Sequence, residues 1–141
     1  MRVVIDTNVL YASLRSRSGA AFAILSLIRG GVVKPAVTAP LAFEYEDVLQ
    51  RQGALPHFTA DEVSAFLDWF VYRASHHRVH FLWRPFLSDP KDDLVLEAAG
   101  AAQTEHLVTF NLKDFAKAPH VGVSAITPAR CLELIRKNKN R

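Results

Sequence analysis

Val3-Val4-Ile5-Asp6-Thr7-Asn8 decides how the rest of the chain is read. Three β-branched residues in succession read as a short buried strand, and the acid that ends the run stands at that strand's carboxyl end. Helical patterns follow over residues 8–14 and, after a break at 16–19, from Ala20 to the stop at Gly30 and Gly31. Residues 34–39 read as a second strand, with Thr38 as a helix cap and Pro40 in the first turn of a helix reaching Gly53. Thr59 and Glu62 form a capping box for a helix whose apolar stripe is Val63, Phe66, Leu67 and Phe70.

Residues 78–83 predict a third strand, followed by a helix from Asp92 to about Gln103. Residues 106–110 and 122–126 predict a fourth and a fifth strand, and Thr127 with Pro128 opens a last helix through Ile135. The basic residues 136–141 then form a frayed tail. Short β-branched strands alternating with helices of this length predict an α/β fold with a mainly parallel sheet covered on both faces.

The 141 residues, 50% hydrophobic, suffice for a single domain spanning 1–141 with a closed core. Asp6 and Asn8 interrupt the first apolar run too early for a signal peptide, and no later run is long enough to cross a bilayer. The expectation is a soluble, cytoplasmic protein with no membrane partner. Cys131 is alone, which excludes an intramolecular disulfide framework, and its place in a helical pattern predicts a packed thiol. A Gly-rich phosphate loop is missing from the sequence, which argues against a P-loop enzyme.

The chain has a pI near 9.2, yet its acids gather at the junctions of strands and helices: Asp6, Glu44, Asp92 with Asp93, and Asp114. In an open parallel sheet, ligands bind beyond the carboxyl ends of the strands. Asp6 lies there directly. Asn111 and Asp114 lie just past the fourth strand, Asp92 opens a helix after a loop, and Glu44 is one turn inside its helix. Carboxylates brought together repel unless they are protonated or share a cation, and an all-oxygen site suits Mg²⁺ or Mn²⁺. A carboxylate-held ion that acidifies a bound water predicts hydrolysis of a phosphodiester.

Four segments carry a family resemblance: Asp6-Thr7-Asn8 after the first strand, Glu44 after Thr38-Ala39-Pro40, Asp89-Pro90-Lys91-Asp92-Asp93, and Thr109-Phe110-Asn111-Leu112-Lys113-Asp114-Phe115. In that order the chain resembles the PIN-domain ribonucleases, above all the toxins of prokaryotic type II (VapBC-like) toxin–antitoxin pairs. The resemblance implies a three-layer α/β/α fold with a central sheet of four to five strands, and endoribonuclease activity. It implies Asp6, Glu44 and Asp92 as the metal-binding catalytic core and Asp114 as a more variable fourth acid. Thr7, Asn8, Asp93, Thr109 and Asn111 fall in supporting positions. An RNA substrate, a homodimer and a cognate antitoxin whose arginine enters the acidic site are implied partners. Asn111 stands where the toxins often have an aspartate, which leaves Asp114 to supply the fourth charge.

Competing readings remain. Asp92 could cap its helix, Glu44 could be a first-turn acid favoured by the helix dipole, and Asp89 reads as the stabiliser of its Asp-Pro turn. Adjacent residues on a helix diverge by about 100°, so only one of Asp92 and Asp93 can face the site, and Asp92 is favoured by position in the family pattern. His76, His77 and His80 read as ordinary residues rather than a zinc site, and Arg15, Arg17 and Lys113 as either phosphate-steering or solubilising charges. The alternatives to a toxin are a nuclease of RNA maturation, decay or DNA processing without an antitoxin, and a non-catalytic RNA- or protein-binding domain.

Overall fold

The computed structural model describes residues 1–79 and 86–139. Five strands form one all-parallel sheet: β1 (Arg2–Ile5), β2 (Lys34–Val37), β3 (Ser75–His76), β4 (His106–Val108) and β5 (Ser124–Ile126). The helices are α1 (Thr7–Arg15), α2 (Ala20–Arg29), α3 (Ala39–Leu49), α4 (Ala60–Arg73), α5 (Pro90–Ala102) and α6 (Pro128–Lys139), with short 3-10 turns at Leu112–Phe115 and Ala118–Val121. The architecture is the three-layer α/β/α fold that the alternation of strand and helix predicts.

Strand order is β3-β2-β1-β4-β5. The chain therefore builds outward from β1 to one edge of the sheet, then crosses and builds outward to the other. The reversal lies between β1 and β4, where the connections diverge and open a crevice at the carboxyl ends. Both neighbouring strand ends are pinned: Asp6 N donates to Val108 O at 2.9 Å, and Thr109 N to Ile126 O at 2.9 Å.

Consecutive side chains of β1 point to opposite faces, yet Val3, Val4 and Ile5 are all buried, so helices cover both sides. On one side α5 packs against β1, β2 and β4. Val95, Leu96, Ala98, Ala99 and Ala102 are buried there, and the alanines let helix and sheet approach closely. Phe70 of α4 meets Tyr45 of α3 edge-on, with ring centroids 5.6 Å apart. Phe66 and Trp69 pack against the core, as helical periodicity predicts for them.

The caps follow the sequence. Thr59 and Glu62 close both bonds of the capping box, Thr38 Oγ1 accepts from Leu41 N, and Thr127 Oγ1 accepts from Arg130 N. Cys131 is fully buried, and burial pushes its thiol up to about 11.

One strand was not foreseen, and two helix boundaries differ from expectation. The third strand of the described sheet is Ser75–His76, directly after α4, whereas the expected strand at 78–83 lies largely outside the described residues. Helix α5 begins at Pro90 with Asp89 as its cap, because Asp89 Oδ1 accepts from Lys91 N at 2.9 Å. That puts Asp92 at the third helical position rather than at the cap. Helix α6 continues past Ile135 to Lys139, so most of the expected fray is helical.

Candidate metal centre at the strand-order reversal

Asp6 sits at the point where β1 becomes α1. Its side chain is mostly buried, and Thr109 Oγ1 donates to Asp6 Oδ2 at 2.7 Å. This bond joins residues 103 positions apart, across the boundary between β1 and β4. The same hydroxyl accepts from Asn111 N at 3.0 Å, so Thr109 also shapes the loop that leads to Asp114. Burial raises the proton affinity of Asp6. The bonds from Thr109 and from the Thr7 N–H oppose that rise, and the charges of Asp114 and Glu44 add to it.

Asp92 shares Asp114 as a neighbour and feels Asp6 itself. Desolvation, then Asp6, Asp89, Asp114 and Asp93, push its carboxyl up to about 7. Asp6 is thus coupled to Glu44, Asp92 and Asp114, although these acids come from the end of β1, from α3, from α5 and from the turn after β4. Glu44 is largely covered and receives Lys91 Nζ at 3.8 Å. Asp114 is exposed in the 3-10 turn, and its N–H is held by Asn111 O.

The two adjacent aspartates of α5 do different things. Asp93 is buried, and its carboxylate accepts from Leu87 N at 2.9 Å and from Phe86 N at 3.4 Å. It anchors the turn that enters α5. Asp92 is half-buried instead, and its carboxyl feels the charges of Asp6 and Asp114. Thr7 is buried in the first turn of α1, and Asn8 Oδ1 is a buried oxygen with no hydrogen-bond partner. The Asn111 side chain is exposed at the rim. His76 and His77 point to the Val71 carbonyl and the Ser75 hydroxyl, while His80 lies outside the described residues.

Tyr45 escaped the sequence reading. It is fully buried beside Glu44 and donates its hydroxyl to the carbonyl of Ile5, the residue before Asp6. One side chain thus ties the helix bearing Glu44 to the strand end bearing Asp6. Its signal in the sequence was slight, since a tyrosine on an apolar helix face ordinarily reads as core.

Among the described residues, no three His, Cys, Asp or Glu side chains are already gathered closely enough to hold a metal ion. The donor chemistry nonetheless fits a hard divalent cation. The set is all oxygen, neighbouring acids raise the proton affinity of Asp6 and Asp92, and Asn8 offers an unpaired oxygen nearby in sequence.

Comparison with known proteins agrees with this architecture. The PIN domain family matches residues 2–113, and the chain belongs to that family. Among solved structures, it is similar to a chain of VapBC2 from Rickettsia felis, bound to a DNA fragment from the promoter. That match has 16% identity and a TM-score of 0.63, covering 90% of this chain and 98% of the other. It is also similar to a chain of DNA-bound VapBC from Salmonella typhimurium, at 14% identity and a TM-score of 0.63, covering 91% and 98%. No curated protein matches the sequence.

Proposed function

We propose that this chain is a metal-dependent endoribonuclease that hydrolyses RNA phosphodiester bonds with Mg²⁺ or Mn²⁺, and that it is the toxin of a type II toxin–antitoxin pair acting in the cytoplasm. The observation that carries the reading is the buried Asp6 at the strand-order reversal, held by Thr109 across from β4, whose carboxyl feels Asp114 and Glu44 while that of Asp92 feels Asp6 and Asp114. Asp6, Glu44 and Asp92 would hold the cation, with Asp114 as the fourth charge. When bound, such an ion acidifies a water and neutralises charge growing on the phosphoryl oxygens.

The chain's own groups set the stage for this chemistry. Thr109 fixes Asp6 Oδ2, which orients the carboxylate and leaves Oδ1 free of that bond. Tyr45 holds the carbonyl beside Asp6, and Asp89 together with Asp93 fixes the start of α5 from which Asp92 projects. Asp92, pushed up to about 7 by burial and then by its acidic neighbours, sheds that repulsion when positive charge arrives.

The likeness to VapBC structures supports the toxin reading, and with it an antitoxin partner. Exposed Phe43 and Tyr72 flank a cleft between α3 and α4, which favours a protein-contact surface there. Among the described residues no helix is long and apolar enough to cross a membrane.

The test is cleavage of a panel of structured and single-stranded RNAs with Mg²⁺, with Mn²⁺ and with excess chelator, using the intact protein and Asp6→Asn. Metal-dependent products that fall at least about a hundredfold in the folded variant are expected. RNA binding without cleavage by folded, partner-free protein would replace this reading with a binding domain.

A further inference from the structure

Lys91 occupies the second position of α5, between Pro90 and Asp92. Its ammonium lies 3.8 Å from Glu44 Oε1 on α3, so the ion pair joins two of the elements that carry the acidic cluster. The partners are unequally exposed: the Glu44 side chain is 13% accessible and that of Lys91 is 56%. The ammonium thus reaches over a mostly covered carboxylate from the solvent side. A lysine has a flexible four-carbon stem and keeps much of its hydration in such a pair, so the contact is weak and reversible. It also occupies one carboxylate oxygen of the set that a divalent cation would need.

We propose that Lys91 is the resident counter-ion of Glu44, that a divalent cation entering the carboxylate cluster displaces its ammonium, and that the released ammonium pairs with a backbone phosphate of bound RNA. The inference rests on the metal-dependent nuclease reading and adds to it an internal competitor that links metal entry to substrate binding. Lys91 then acts against the metal and for the RNA. A residue with a merely structural role would weaken both when replaced.

The experiment measures Mn²⁺ binding without RNA, by the electron paramagnetic resonance of free Mn²⁺, for the intact chain, Lys91→Met, Lys91→Gln, Glu44→Gln and the Lys91→Met/Glu44→Gln pair. Lys91→Met and Lys91→Gln should tighten Mn²⁺ binding about three- to tenfold, since a like charge leaves the ion's surroundings. Lys91→Met should have much less effect in the Glu44→Gln background. In cleavage assays KM for RNA should rise about two- to fivefold, with a smaller change in kcat. Unchanged Mn²⁺ affinity in both lysine variants of a chain that binds Mn²⁺ would overturn the proposal. Equal tightening with and without Glu44 would overturn the pairing, and an unchanged KM would overturn the hand-over to phosphate. Absence of Mn²⁺ binding by the folded intact chain would instead remove the metal reading, and this inference with it.

Discussion

Replacing Asp92 with asparagine should make the metal-free protein more stable at pH 7.5, while Asp93→Ala, one residue along, should make it less stable. Asp92 carries a carboxyl pushed from 3.8 to about 7 by burial and by neighbouring acids. Its proton is held more tightly in the folded chain than in the unfolded one, so its contribution to stability is complete below about pH 4 and is lost as pH rises toward 7. A shift of that size corresponds to about 4 kcal/mol. Solvent screening of a partly exposed carboxylate reduces the figure to about 1–2 kcal/mol. Asparagine keeps the shape and removes the charge. Urea denaturation in chelator should therefore show Asp92→Asn gaining about 1–2 kcal/mol at pH 7.5 and almost nothing at pH 4. Asp93→Ala strips the acceptor from Leu87 N and Phe86 N and should lose about 2–4 kcal/mol. A loss of stability in Asp92→Asn at pH 7.5, or a gain that persists undiminished at pH 4, would refute the electrostatic account of the cluster.

Two further predictions come from single contacts. Thr109→Val keeps the volume but removes the donor to Asp6 and the acceptor for Asn111 N. It should cost about 1.5–3 kcal/mol in denaturation, raise the proton affinity of Asp6 further, and weaken Mn²⁺ binding about 10- to 100-fold; unchanged metal affinity would discount its positioning role. Gln103 ends α5 with φ at 54°, the left-handed region that glycine adopts without penalty. Gln103→Gly should raise stability by about 0.5–1 kcal/mol, and a lowered melting temperature would contradict the cap assignment.

Local order was largely legible in the sequence. The β-branched run at Val3–Ile5, the Thr59–Glu62 box and the Thr38-Ala39-Pro40 helix start each depend on neighbours a few positions away, and each is found where periodicity puts it. The strand at Ser75–His76 was not foreseen because its evidence is not local: the two residues have no strand-like pattern, and they pair with Ala36 and Val37 at the edge of β2. The fold class and the family follow from motifs in order along the chain. The acids were visible for the same reason.

What the chain could not declare by itself is which side chains meet. Thr109 and Asp6 become partners only because β4 is laid beside β1 after the strand order reverses. Tyr45 reads as core until its hydroxyl is seen on the Ile5 carbonyl. Asp92 was favoured over Asp93 by the family pattern alone, and the tertiary structure adds the reason: Asp93 is spent on Leu87 N and Phe86 N in the turn that enters α5. Hydrophobic period tells which face of an element is buried. The contacts between distant elements are set by sheet pairing and helix register, and those are fixed only when the whole core closes.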